Sequence, residues 1–167
     1  YFLVHNREIY APLDDSVVMV INNKPRFIRR SRGYVPEPIH CENIEATPIL
    51  AMGSDLKNAF ALNKGNEILI GPHIGDLENA STHETLEWTI NRYENLFSIE
   101  PEKIIIDSHP QFFSSHLGEH IGASSQIPVV TVQHHHAHIA SVMAEHNLIG
   151  PVLGIAMDGT GYGPDGT

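Results

Sequence analysis

The sequence predicts an α/β fold: a short β-rich unit, followed by a mixed β-sheet with helices packed on its faces. Three observations carry this. Short β-branched runs recur along the 167 residues and suit strands. From Ser81 onward they alternate with stretches of helical periodicity, the pattern of crossover units. Charge is also divided unevenly: residues 1–45 hold six Lys/Arg and six Asp/Glu, whereas 46–167 hold four and fourteen and carry the whole net charge of −10. A shift of that size separates two structural units.

The elements follow in order. Asp15 to Ile21 reads as a strand, Asn22 to Pro25 as a turn, and Arg26 to Arg29 as the returning strand, each by its residue types. Gly33 to Pro38 holds two prolines in three residues, and composition places extended linker chain at about 33–47. Ile49 to Gly53, Asn58 to Leu62 and Glu67 to Ile70 are predicted as three successive strands. Ser81-Thr82-His83-Glu84 is a capping box, in which the hydroxyl takes an orphan amide and the glutamate reaches back. Behind it Leu86, Ile90, Tyr93 and Phe97 recur at helical spacing, and Pro101 closes the element. Lys103 to Asp107 is a buried-type strand, Phe112 to Ile121 a helix stopped by Gly122, and Val129 to Val132 a strand. His135 to His146 is the next helix, and Val152 to Met157 a last strand running into glycine-rich chain. After residue 48 the predicted order is β-β-β-α-β-α-β-α-β: three antiparallel strands, then crossovers.

Composition sets limits on function. Hydrophobic residues make up 41% of the chain, enough for a packed core. The acidic balance excludes a general nucleic-acid surface, which needs clustered Lys and Arg to neutralise phosphates. The one basic cluster is Arg26, Arg29, Arg30 and Arg32. Cys41 is the sole cysteine, so there is no disulfide framework and no Cys-x-x-Cys zinc site; a reducing, cytoplasmic setting fits. No apolar run is long enough to span a bilayer. The sequence opens at Tyr1 and closes at Thr167 inside a glycine-rich run, which leads us to expect a piece of a longer chain.

The chemistry concentrates in Gln133-His134-His135-His136-Ala137-His138. On a helix, His134 and His138 lie four residues apart on one face. Two imidazoles so placed can grip one metal ion, a spacing that recurs in zinc hydrolases. Asp158, at the exit of the next predicted strand, opens on the same side as the start of the preceding helix and can complete the site. Two imidazoles and a carboxylate suit iron or zinc with positions left for substrate. The helix N-terminus disfavours imidazolium and attracts anions. His135 and His136 cannot both share the ligating face; one of them is placed to meet a substrate carbonyl or shuttle a proton, and His135 is taken as the candidate. The other histidines considered, His5, His40, His73, His83, His116, His120 and His146, read as surface or satisfied core residues.

Asp158-Gly159-Thr160-Gly161-Tyr162-Gly163 is a strand-exit loop. Its glycines leave backbone amides free for phosphate oxygens, or it is a plain turn. Lys57, in the similar loop Gly53-Ser54-Asp55-Leu56-Lys57-Asn58, can reach a phosphate or remain solvated. Ser16, Arg30 and Arg32 can bind nucleotide phosphates through a hydroxyl and guanidinium forks, or form a solvated basic edge.

Together these stretches resemble a known family. VQHHHAHIASVMAEH (132–146) and LGIAMDGTGYGPDG (153–166) look like the transferase domain of HypF, the hydrogenase-maturation carbamoyltransferase. GSDLKNAF (53–60) and HIGDLEN (73–79) look like the opening of that domain. HNREI (5–9), DDSVV (14–18) and RRSRGYVPEPI (29–39) look like the end of the YrdC-like domain before it. The resemblance implies a division into 1–39, the end of a YrdC-like nucleotide-binding domain, 40–47, a linker, and 48–167, the first part of the metal-dependent transferase domain. The second unit would have the actin/Hsp70/sugar-kinase-like, ribonuclease H-like fold. In the family, the YrdC-like domain makes carbamoyl-adenylate from ATP and carbamoyl phosphate. The second domain passes the carbamoyl to the C-terminal cysteine of HypE, where it becomes a cyanide ligand of the nickel–iron site. The family's metal-binding histidines fall on His134 and His138 and its nearby aspartate on Asp158. A further aspartate, the acylphosphatase domain and the cysteine-rich modules lie outside these residues, so this piece alone is not expected to complete a catalytic cycle.

Rival readings remain. An antibiotic O-carbamoyltransferase shares the metal fold but places its YrdC-like unit after it. The tRNA threonylcarbamoyl-transferase family has a different interior between the ligand histidines. A non-catalytic metal-binding or scaffold module would bind metal without carbamoylation, and a sugar-kinase-like protein would leave the histidines idle.

Overall fold

The computed structural model describes residues 1–159 and 161–163. Residues 1–14 carry no strand or helix. Tyr10 nevertheless packs edge-on against Trp88, and the Arg92 guanidinium lies over both rings, a cation–π clamp.

Strands β1 (Val17–Ile21) and β2 (Lys24–Arg29) form an antiparallel hairpin. Its turn is only Asn22-Asn23, both with positive φ. Asparagine tolerates that conformation, which a two-residue hairpin needs to match strand twist.

The main sheet has six strands in the order β3-β6-β5-β4-β7-β8. These are β3 (Ile39–His40), β4 (Ile49–Ala51), β5 (Ala61–Lys64), β6 (Glu67–Ile70), β7 (Lys103–Asp107) and β8 (Val129–Val132). The first four pair antiparallel, and β4, β7 and β8 run parallel, as the predicted mixed sheet requires. Residues 40–47, expected as a linker, lie along this sheet. The Cys41 amide donates to Asn66 O, and the buried Asn63 amide donates to Glu45 O and Thr47 O while its oxygen accepts from Ile49 N.

Two helices, α1 (Ala80–Phe97) and α2 (Phe113–Ser125), pack on one face of the sheet. Leu50, Phe60, Leu62, Leu86, Ile90, Tyr93, Ile104, Ile106 and Leu117 form the core between them. Two expectations are corrected here. The N-cap of α1 is Asn79, whose side chain accepts from Thr82 N; Ser81 lies inside the helix. Asparagine caps as well as serine does, and it comes first.

Gly122 does not stop α2, which continues to Ser125 and ends at Gln126 in the left-handed conformation. Gly118 and Gly122 serve packing instead. A Cβ on Gly118 would come within 2.5 Å of Ile106 Cγ2, and one on Gly122 would collide with Val129.

The third helix, α3 (His134–Glu145), follows β8 and buries none of its residues. The strand expected at 152–157 does not form: Leu153, Ile155 and Met157 are exposed. Among the described residues it has no partner strand, and an isolated β-branched run has nothing to satisfy its backbone groups. The segment instead lies against α3, with Gly154 beside Ile139. No described helix is long and apolar enough to cross a membrane.

Candidate metal centre

Sheet register builds the site. Parallel β7 and β8 are aligned so that Asp107 stands beside Val132 at their common C-terminal edge. One residue later Gln133 caps α3, its side-chain oxygen accepting from His136 N at 3.0 Å. The cap starts the helix at His134, one residue before the expected His135. His134 and His138 then share a face, as predicted. Their rings are 4.7 Å apart and nearly perpendicular, and their Nε2 atoms are 3.2 Å apart.

Asp158 meets them. Its Oδ2 lies 3.4 Å from His134 Nε2 and 3.7 Å from His138 Nε2. One ligating atom from each of the three residues falls within 4.8 Å of the others. Donors about 2.0–2.1 Å from a tetrahedral ion stand about 3.3 Å apart. The observed spacings of 3.2, 3.4 and 3.7 Å bracket that value. Two imidazole nitrogens and one carboxylate oxygen therefore fit a divalent iron or zinc ion with coordination positions left over.

His135 points to the same carboxylate by a different atom. Gln133 has its oxygen committed to the helix cap, so its Nε2 donates to His135 Nδ1 at 3.0 Å and to Tyr162 O at 3.3 Å. That leaves the proton of neutral His135 on Nε2, which donates to Asp158 Oδ1 at 2.9 Å. Asp158 thus keeps Oδ2 free to face His134 and His138. Burial opposes its ionisation, but the hydrogen bond from His135, together with the charge that the His135 and His134 rings carry when protonated, outweighs that and holds the carboxyl below its ordinary value.

The other candidate residues scatter. Gly161 abuts the His135 ring so closely that a Cβ there would collide with it. Around Gly159 there is open space, and Thr160 lies outside the described residues. Lys57 lines a cleft of about 440 Å³ together with Gly53, Asp107, His134 and His138.

The loop bearing Lys57 is anchored by its neighbours. Asp55 accepts from Phe113 N and Ser114 N at the start of α2, and the buried Asn58 amide donates to Met52 O and Ser54 O. Lys57 also borders a second cleft, of about 390 Å³, lined by Arg29, Arg30 and His73.

Ser16 Oγ is engaged internally, donating to Arg32 O and accepting from Ser31 N. Arg32 pairs with Asp15 and donates to Leu13 O. Arg30 Nη2 donates to Glu37 O, whereas its Nη1 is buried with no hydrogen-bond partner among the described residues. None of these hydrogen bonds or ion pairs reaches the histidine cluster.

Sequence reasoning passed over Asp107, whose Oδ2 is 2.6 Å from His134 Nδ1. The signal was available: an acidic residue ends a buried strand just before Ser108-His109-Pro110, and strands of this type end on the active edge of a parallel sheet.

A family model described as the HypF Kae1-like domain matches residues 45–145. The chain belongs to the HypF family. It is similar to the carbamoyltransferase HypF of Synechocystis sp., with 46% identity over 99% of this chain and 21% of that protein. It is also similar to the carbamoyltransferase HypF2 of Cupriavidus necator, at 42% identity over 99% of this chain and 21% of that one. A crystal structure of full-length HypF in a phosphate- and nucleotide-bound form superimposes with a TM-score of 0.89 at 45% identity, covering 98% of this chain and 25% of that one. The chain thus spans about a fifth of the length of the curated HypF relatives it matches. The mixed sheet and its helices agree with the HypF fold expected from the resemblance.

Proposed function

We propose that this chain carries the metal-binding half of a carbamoyl-transfer centre that serves hydrogenase maturation. The observation that supports it is the convergence of His134 Nε2, His138 Nε2 and Asp158 Oδ2 at ion-binding spacing, in a chain related to carbamoyltransferases named HypF. The substrates would be ATP and carbamoyl phosphate, joined as a carbamoyl-adenylate. The acceptor would be the C-terminal cysteine of HypE, in the cytoplasm.

A divalent iron or zinc ion held by His134, His138 and Asp158 would supply Lewis acidity toward the carbamoyl carbonyl. The chain's own residues do the rest. His135 and Gln133 orient Asp158 so that one oxygen stays available. The amides of Gly159, Thr160 and Gly161 and the Lys57 ammonium would hold the departing phosphate group near the N-terminus of α3, where anions are favoured. Ser16, Arg30 and Arg32 would serve the nucleotide on the preceding unit, residues 1–39, with 40–47 joining it to the transferase unit at 48–167. Arg30 is the strongest of these, because one of its guanidinium nitrogens lacks a partner among the described residues.

The test is metal content and two separate reactions in the full-length protein. His134→Ala and His138→Ala should each lose bound metal and abolish carbamoyl transfer, while carbamoyl-phosphate-dependent ATP turnover to the adenylate persists. Loss of both reactions together would reject this division of labour.

A further inference from the structure

We infer that Asp107 is a positioning residue that fixes which nitrogen of His134 faces the metal; the inference rests on the metal-centre reading above. The Asp107 side chain is only 8% exposed. A carboxylate that buried needs partners, because an unpaired buried charge is costly. It has one on each oxygen. Oδ1 accepts from His109 N at 2.8 Å, and Oδ2 lies 2.6 Å from His134 Nδ1.

The chemistry of the pair assigns the proton. Ionised carboxylate oxygens only accept, so His134 must carry its hydrogen on Nδ1. The lone pair then sits on Nε2, the atom that faces His138 and Asp158. A free imidazole would divide between two tautomers, and one of them points a proton at the ion. Asp107 removes that second form and holds the ring plane by a short bond from a rigid strand end. It also adds electron density to the ligating nitrogen, as carboxylate partners of metal-bound histidines do.

The same residue ties a loop to the site. Through His109 N it anchors the start of the turn in which the His109 ring stacks on Phe112 at 4.1 Å and meets Tyr162 edge-on at 5.7 Å. A loop-tying role alone would affect stability without affecting His134. Asparagine cannot replace Asp107, because both existing partners are N–H donors and asparagine offers one oxygen and one NH₂. Either His109 N loses its acceptor or His134 faces a donor and adopts the wrong tautomer.

The experiment uses the full-length protein and Zn²⁺ as probe, titrated in competition with a chromophoric chelator. Wild type, His134→Ala, Asp107→Ala and Asp107→Asn are compared, and the His134 ring nitrogens are read by ¹⁵N NMR in the metal-free protein. Asp107→Ala, which removes both acceptors, should bind Zn²⁺ about 10–100-fold more weakly, and in it the single Nδ1–H form of wild-type His134 should give way to a mixture or to Nε2–H. Asp107→Asn should follow it where the asparagine NH₂ faces His134 and should keep the Nδ1–H form where its oxygen does. Unchanged affinity or an unchanged tautomer in Asp107→Ala overturns the inference while leaving the metal centre standing if His134→Ala still loses zinc. Failure of wild type itself to bind Zn²⁺ would overturn both. A lowered melting temperature with unchanged tautomer and affinity would assign Asp107 to the loop alone.

Discussion

The two faces of the six-stranded sheet are built to opposite rules. On one, α1 and α2 close down on Leu50, Phe60, Leu62, Ile104 and Ile106 until Gly118 and Gly122 have no room for a methyl group. On the other, α3 buries nothing and stands off the sheet, leaving the cleft lined by Ala51, Ile105, Val132, His134 and His138. The alternation is visible within β7, where Ile104 and Ile106 are buried while Ile105 borders the cleft. Tight packing on one side supplies a rigid platform, and the other side presents the cleft with its polar groups.

Four substitutions test that contrast. The largest effect belongs to the packed face. Phe60 is fully buried and meets Tyr93 edge-on at 5.3 Å, so Phe60→Ala should cost about 3–5 kcal/mol by denaturant unfolding. Val142→Ala on half-exposed α3 should stay within about 0.5 kcal/mol. Equal losses would mean that α3 packs as firmly as α1.

Next comes Gly118→Ala. The added methyl group has to displace Ile106 and Met52, and it should destabilise by about 1–3 kcal/mol although alanine is the better helix former. A stabilised variant would show that α2 can stand off as α3 does.

The smallest effect is electrostatic. Burial raises the Glu94 carboxyl above its ordinary value of 4.5. A group raised in the folded state contributes stability that is complete below its unfolded value and is lost as pH rises through the folded one. Glu94→Gln should therefore raise the melting temperature at pH 7 and leave it unchanged near pH 3. A gain of the same size at both would point to packing instead.

Much of this contrast was legible in the sequence. Helical periodicity at Leu86, Ile90 and Tyr93 found the buried stripe of α1, and the spacing of His134 and His138 placed them on one face. Local signals misled where tertiary packing decides. Gly122 reads as a terminator by composition, but its missing side chain admits Val129, a contact set by the packing of α2 on β8 and carried by no helix-end signal. Val152 to Met157 has strand chemistry, yet a strand requires an edge to pair with, and sequence does not say whether one is present. The partners of Ser16 and Arg32, Ser31 N and Asp15, are set by chain geometry and not by spacing, so the sequence did not show them. Asp107 was missed for the related reason that its role depends on parallel register with β8.

The carboxylate of Asp55 accepts two amides at the first turn of α2 while its own loop borders the histidine cleft. That clasp makes the cleft's rim a mechanical extension of the most firmly seated helix. Slow hydrogen exchange at Phe113 and Ser114 would then report how stiffly the rim is held. Cutting the clasp with Asp55→Ala would let the rim drift without disturbing a single ligand atom.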